Sequence, residues 1–220
     1  MIEADGVRWR LETHAIVSAE GRIADAHGAM PPCLIVAEDQ RRFRAALEGA
    51  ALTVLGREGH ERHPPGTRRR LVLTTRVASL AREGDAPTRE GFAIARDATT
   101  GRDAAADRNT ARARAVLWNP AGAGLAEALA AAAPGGGTVV VAGGTRVMTL
   151  LLPATDRFDL VVARNCSIPD GRPCLEGTRG MADLRAALVA AGLRAVAPEP
   201  LEPGVTLHPH LREPDARAKL

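Results

Sequence analysis

The stretch Gly136-Gly137-Thr138-Val139-Val140-Val141-Ala142-Gly143-Gly144-Thr145-Arg146-Val147 says most about how this chain folds. Its apolar run, Val139 to Ala142, has the length and β-branched content of a buried strand, and it stops at a glycine pair. The pattern then turns helical through Arg146-Val147-Met148-Thr149-Leu150-Leu151-Leu152. Two residues without side chains at a strand's C-terminal end let a phosphate approach the backbone, and the following helix offers free N–H groups. A tight strand–helix turn also needs glycines, so the pair alone leaves both readings open. A second site of the same kind is Leu52-Thr53-Val54-Leu55-Gly56-Arg57, and a third strand, Leu71-Val72-Leu73, ends in Thr74-Thr75-Arg76. Three strand ends followed by a glycine, a hydroxyl or an arginine are what a parallel sheet needs to hold a phosphorylated dinucleotide.

Outward from these sites, residues 14–19 read as a short buried strand and 20–25 as a glycine-bearing loop. Residues 38–49 form a helix, with acids in the first turn, Phe43, Ala46 and Leu47 on one face, and a glycine stop. Strands are expected at 51–55, 70–74, 115–118, 138–142 and 160–163, helices at 125–133, 146–152 and 181–191, and a closing strand or hairpin around 193–211. The segment 59–67 reads as turns. Residues 77–114, low in apolar content and dense in Arg, Asp, Thr and Ala, read as a long, loosely ordered surface insertion. Strands alternating with helices predict right-handed parallel crossovers, hence one α/β domain over 1–220, a three-layer sandwich with a mostly parallel central sheet.

Composition narrows the function. With 2% aromatic residues and no tyrosine, the chain lacks stacking platforms for single-stranded nucleic acid. The net charge of +3 comes from interspersed acids and bases, which is not a nucleic-acid stripe. Cys33, Cys166 and Cys174 form no CxxC pair and are odd in number, so they are expected to be free thiols in a reducing compartment, with Cys33 and Cys166 buried as small hydrophobes. No basic and apolar leader and no long uncharged apolar window are seen. The expectation is a cytoplasmic protein acting on a small molecule, with neither nucleic acid nor membrane as partner. His60-x-x-His63 and His208-Pro-His210 lack further ligands, so no metal site is expected. Ser18, His14 and Asp25 could be written as a triad, but no nucleophile elbow supports it.

The order of motifs resembles the dihydrofolate reductase superfamily, which includes the reductase domain of the riboflavin-biosynthesis deaminase-reductase. The resemblance is carried by Glu38-Asp39-Gln40-Arg41-Arg42-Phe43, by Leu55-Gly56-Arg57, and by Pro65-Gly66-Thr67-Arg68-Arg69-Arg70-Leu71-Val72-Leu73-Thr74. It continues in Ala142-Gly143-Gly144-Thr145-Arg146-Val147 with Leu152-Pro153-Ala154-Thr155-Asp156-Arg157, and Ser18-Ala19-Glu20-Gly21-Arg22-Ile23-Ala24 is similar to the riboflavin-type reductases. Three positions depart from the family pattern. Met30-Pro31-Pro32 lacks the usual loop tryptophan, Met148 stands for a tyrosine, and Val161 stands where a threonine commonly hydrogen-bonds the catalytic acid.

The resemblance implies NADPH as cofactor, bound by Gly56, Arg57, Thr74, Thr75, Arg76, Gly143, Gly144, Thr145, Arg146 and Val147. It implies an acceptor pocket with Ala19, Ile23, Phe43 and Arg68, and Asp39 as the catalytic acid. An acid near a helix N-terminus is often only a favourable partner for the dipole. With Phe43 one turn later on the same face, however, Asp39 would sit at the rim of an apolar pocket, where its pKa rises and it can share a proton with a ring. The implied activity is hydride transfer to a reduced pterin of the dihydrofolate or dihydromethanopterin type. The riboflavin-pathway ribosylaminopyrimidine is the alternative acceptor, and a non-catalytic nucleotide-binding protein of the same fold is a third reading. Riboflavin-type relatives would imply a homodimer. The loop 20–32 would exclude water as a lid.

Overall fold

A computed structural model describes residues 1–63, 67–83 and 115–213. The chain opens with β1 (Ile2–Ala4) and the long β2 (Val7–Ser18), followed by β3 (Arg22–Ala24), α1 (Ala37–Gly49), β4 (Leu52–Gly56), α2 (Arg57–Arg62) and β5 (Arg70–Leu73). Next come β6 (Leu80–Arg82), β7 (Ala115–Trp118), α3 (Leu125–Ala132), β8 (Gly137–Val141), α4 (Thr145–Leu151) and β9 (Arg157–Ala163). The remainder is β10 (Arg172–Pro173), α5 (Met181–Ala190), β11 (Leu193–Ala195), β12 (Glu199–Glu202) and β13 (Val205–Arg212).

The main sheet runs β11-β13-β9-β2-β8-β4-β5-β7-β6, with β1 beside β2 and β12 beside β13. Its middle, from β9 to β7, is parallel throughout, and β13, β11 and β6 add antiparallel edges. The α/β sandwich with a mostly parallel sheet is therefore as expected. One sheet face carries Trp9, Leu11, Val54, Leu71, Val139, Phe158 and Leu160, packed in one core with Leu129 of α3, Met148 and Leu151 of α4, and Leu184 and Leu188 of α5. The indole N–H of Trp9 donates to the Ala133 carbonyl at 2.8 Å, so this large side chain is buried without an orphaned donor. The opposite face has two smaller clusters, one with Ile16, Leu34, Val161 and Leu207, the other with Leu55, Val72 and Ala115.

Helix α1 behaves differently from the other long helices. None of its residues is fully buried; Phe43, Ala46 and Leu47 are half-buried. Polar contacts hold it instead. The Glu38 carboxylate accepts from Arg41 Nε at 2.8 Å and Arg42 Nε at 3.1 Å, Arg42 also pairs with Glu199 of β12, and the Glu38 N–H donates to Glu202 at 3.1 Å.

Several expectations are corrected. β2 starts at Val7, seven residues before the expected His14, because Trp9, Leu11 and Thr13 face the core while Arg8, Arg10 and Glu12 alternate outward. The segment expected as turns from residue 59 begins instead within α2, whose Arg57–Glu61 and Glu58–Arg62 pairs are i,i+4. The expected insertion includes β6, which pairs antiparallel with β7; the rest of it, 84–114, lies outside the described residues, as do Pro64, Pro65 and Gly66. Within the loop 20–32, β3 pairs with β10 as a separate two-stranded sheet.

The cysteines also differ from the expectation of three free thiols. Cys33 and Cys166 form a disulfide across a sequence separation of 133, and only Cys174 is free. Their spacing in sequence gave no hint, because the chain brings the turn before α1 against the segment after β9 only once the sheet is built. Cysteine usage therefore gives no support to a reducing compartment. No helix among the described residues is long and apolar enough to cross a membrane.

A bridge across so long a loop restricts the unfolded chain, and its removal is expected to lower stability by about 2–4 kcal/mol. Thiol titration of the unfolded, unreduced protein should count one reactive thiol, and denaturant unfolding with and without reductant should read the stability difference.

Candidate functional site

The parallel register brings the C-terminal ends of β2, β4, β5 and β8 to one edge of the sheet, where they open into a cavity of about 1410 Å³. From the helix side it is lined by Asp39, Gln40, Phe43, Arg44 and Leu47 of α1. From the loop around β3 come Ile23, Ala24, Gly28 and Met30.

At the glycine-pair end, Gly143 and Gly144 adopt φ of 113° and 87°. These left-handed values strain any residue with a Cβ, which explains the pair. A Cβ on Gly143 would meet nothing within 4 Å, so the backbone here is open to an approaching group rather than buried under side chains. Gly56, Arg57, Thr74, Thr75, Arg76, Thr145, Arg146 and Val147 line the same cavity, so all ten residues expected to bind the dinucleotide converge. Their side chains are not equally available. Arg57 Nη1 donates to both oxygens of Glu61 at 2.8 and 2.9 Å, and Arg76 Nη1 lies 3.8 Å from the same carboxylate. Thr145 spends its hydroxyl on the Pro173 carbonyl at 2.6 Å, and the Thr74 hydroxyl accepts from the Arg76 N–H at 3.2 Å. Arg146 is exposed and has no hydrogen-bond or ion-pair partner among the described residues. Glu61, which the sequence reading passed over, is thus the acid that balances the arginines at this end.

At the other end, Ile23, Phe43, Arg68 and Asp39 line the cavity, whereas Ala19 does not; it lies exposed after β2, its N–H donating to the Cys166 carbonyl at 2.9 Å. Two neighbouring acids of α1 meet opposite fates. Glu38, hydrogen-bonded by Arg41, is held down to about 2, while burial pushes the Asp39 carboxyl up to about 6 against a smaller opposing pull from Arg42. No hydrogen bond reaches the Asp39 carboxyl from the described residues, and Val161, where a hydroxyl was looked for, packs instead between Ile16 and Leu207. Arg44 and Arg68 line the cavity with no hydrogen-bond or ion-pair partner among the described residues.

Sequence reasoning considered His14 only as part of an unsupported triad. It lies on the cavity wall in contact with Phe43, ring centroids 5.9 Å apart, and its Nδ1 is 3.7 Å from Asp159. A lone histidine in an apolar strand gave no sign of this, because its partner comes from β9. Ser18 and Asp25 are engaged elsewhere, Ser18 with Glu20 at 2.7 Å and Asp25 with the Ala29 N–H at 2.9 Å.

The fold is like that of dihydrofolate reductases, as comparison with solved structures shows. Dihydrofolate reductase from Enterococcus faecalis, solved as a complex with NADP(H), is similar over 94% of this chain and 98% of that one, at a TM-score of 0.57 and 18% identity. A pyrimidine reductase-like protein from Corynebacterium diphtheriae is similar over 92% of this chain and 91% of that one, at 0.57 and 13%. A diaminohydroxyphosphoribosylaminopyrimidine deaminase/5-amino-6-(5-phosphoribosylamino)uracil reductase from Thermotoga maritima matches 94% of this chain at 0.53 and 15%, and this chain covers 57% of it. Compared by sequence, the chain matches no family model and no curated protein.

The raised Asp39 pKa has a consequence for stability. Below about 3.8 the group is neutral in both folded and unfolded chains, and no penalty exists. As pH rises from 3.8 to about 6 the folded state binds more protons than the unfolded one, so stability falls, and above 6 the loss is constant. Asp39→Asn should therefore stabilise the protein at pH 8 by about 1–3 kcal/mol, with the gain vanishing toward pH 4. A simple helix-dipole role would give a loss at pH 8. Denaturant unfolding at the two pH values decides between them.

Proposed function

We propose that this protein is an NADPH-dependent reductase that adds hydride to the C=N bond of a reduced pterin. The observation that carries the reading is the half-covered α1. Its Asp39, Phe43 and Leu47 face a cavity that continues to the open backbone of Gly143 and Gly144, so one space has an acid and an apolar wall at one end and a phosphate-sized approach at the other. The fold, shared with a dihydrofolate reductase and with riboflavin-pathway proteins, supports an oxidoreductase of this type.

The residues present fit the dinucleotide. Gly143 and Gly144 would take its phosphates, Arg146 its adenosine 2′-phosphate with Arg57 and Arg76 nearby, and Thr74 and Thr75 would hold the same region. When bound, it supplies the hydride. The chain's own part is to bind the acceptor against Phe43 and Ile23, to exclude water under the loop 20–32, and to deliver a proton from Asp39 to the ring nitrogen. A carboxyl near pH 6 is suited to this, since it still carries protons close to neutrality and releases them readily.

One observation favours a ribosylaminopyrimidine acceptor instead. Arg44 and Arg68 line the cavity without a partner among the described residues, a pair suited to an acceptor that carries a phosphate. Oxidation of NADPH, screened against dihydropterins and the aminopyrimidine, separates the two acceptors. No oxidation with any of them would leave a nucleotide-binding protein.

Two substitutions test the assignments. Asp39→Asn should lower turnover by about 10²–10⁴-fold with NADPH affinity nearly unchanged. Arg146→Ala should weaken NADPH by about 10- to 150-fold, the loss of one charge-assisted contact, and weaken NADH far less. Equal affinity of the parent protein for the two dinucleotides would overturn the 2′-phosphate assignment.

A further inference from the structure

Behind Asp39 lies a second chamber, of about 410 Å³, between α1 and strands β2, β9 and β13. Its floor is set by register. His14 of β2 pairs with Asp159 of β9, and Glu12 with Arg157, so these four side chains rise side by side toward α1. Asp159 accepts from Arg157 Nε through Oδ1 at 2.9 Å, and its other oxygen lies 3.7 Å from His14 Nδ1. The His14 ring leans on Phe43, one turn along α1 from Asp39. His14, Asp39 and Phe43 line both the chamber and the main cavity, and so form the partition between them. His14 Nε2 is buried and has no hydrogen-bond partner among the described residues. A buried ring nitrogen left unpaired is costly, and the adjoining chamber, walled by Glu12, Arg41, Arg42 and Arg157, has the polarity and room to hold water that a small rotation of the ring would reach.

We propose that this chamber is a proton inlet, and that His14 relays protons from solvent to Asp39 while the acceptor and dinucleotide fill the main cavity. The proposal rests on the reading of Asp39 as the acid of a reductase. In each turnover the Asp39 O–H gives its proton to the acceptor nitrogen as hydride reaches the adjacent carbon, so C=N becomes CH–NH and Asp39 is left as carboxylate. The protonated His14 ring then passes its Nε2 proton to that carboxylate across water. The neutral ring is reprotonated at Nε2 from the chamber, and one solvent proton has entered for each hydride. Asp159, at Nδ1, keeps the proton of the neutral ring on Nδ1 and leaves Nε2 free to accept one.

The charges around His14 suit a carrier rather than a trap. Glu12 of β2 and Asp159 of β9 favour the protonated ring, while burial and Arg157 oppose it, with burial the largest effect and the net direction downward. From α1 the chamber receives Asp39, Arg41 and Arg42, and from β13 the apolar Leu207, while His210 of β13 interacts electrostatically with Asp159.

Two readouts distinguish a relay from a packing residue. In the full-length protein without ligands, the His14 ring followed by NMR should titrate in step with Asp39, so that Asp39→Asn lowers its midpoint by about 0.5 pH unit. In steady-state turnover, His14→Gln should lose about 10-fold at pH 8 and little at pH 5.5, where solvent acids suffice, and added imidazole should restore the loss. Asp159→Asn should give the same pH-selective loss. An unmoved His14 midpoint, or a loss equal at both pH values and not rescued by imidazole, would overturn the relay and leave Asp39 in its role. Full turnover in Asp39→Asn would instead remove the acid, and the relay with it, while the reductase activity itself stands.

Discussion

The parallel pairing of β2 with β8 on one side and β9 on the other is the constraint from which the site follows. Parallel strands end at the same edge, so Gly56, Thr74 and Gly143, far apart in sequence, come to one rim. The same pairing, read across the sheet instead of along it, sets His14 beside Asp159 under α1. One register therefore builds both the rim that suits a dinucleotide and the polar row behind the acid. A slip of one residue would turn every one of these side chains to the opposite face.

The two faces of the sheet divide the work. The face under α3, α4 and α5 is closely packed, with Trp9, Leu11, Phe158, Leu160 and Leu184 almost wholly covered. That packing holds the strand ends rigidly in place. The face under α1 is more open among the described residues, and partial burial raises the pKa of Asp39, which accepts no hydrogen bond from any of them. Stability and site chemistry thus sit on opposite sides of one sheet, and a penalty at Asp39 is tolerated because the other face supplies the core.

Much of this was legible in the chain. The strands β4, β5, β7 and β8 are short apolar runs closed by polar or glycine residues, and α1 announces itself through its first-turn acids and the Phe43–Leu47 spacing. The first half of β2 was missed because a strand wet on one face alternates Trp9, Leu11 and Thr13 with charged residues, and the reading looked for a continuous run. α2 was missed because ion pairs rather than apolar periodicity support its six residues. The Cys33–Cys166 bridge and the His14–Asp159 contact join residues remote in sequence, and local patterns carry no information on such pairs. At the site, the resemblance located the glycines and arginines but not Glu61, whose part depends on the pitch of a helix the sequence did not signal.

Helix α1 is fastened mainly at its start and along its outer side, by the Glu38 N–H on Glu202, by Arg42 on Glu199, and by the disulfide just upstream. Its inner face, with Phe43 and Leu47, is half-covered among the described residues, and an occupant of the cavity would cover it further. Association with the proposed aromatic acceptor would then resemble a last step of folding: apolar surface would leave water, and the heat capacity would drop beyond what the contact area of a rigid groove would give. Because the clasp holding the helix is ionic and partly exposed, raising the ionic strength would loosen the wall that the proposed acceptor would lean on. An uncharged acceptor would thereby acquire a salt-dependent affinity, transmitted through a helix and not through any charge of its own.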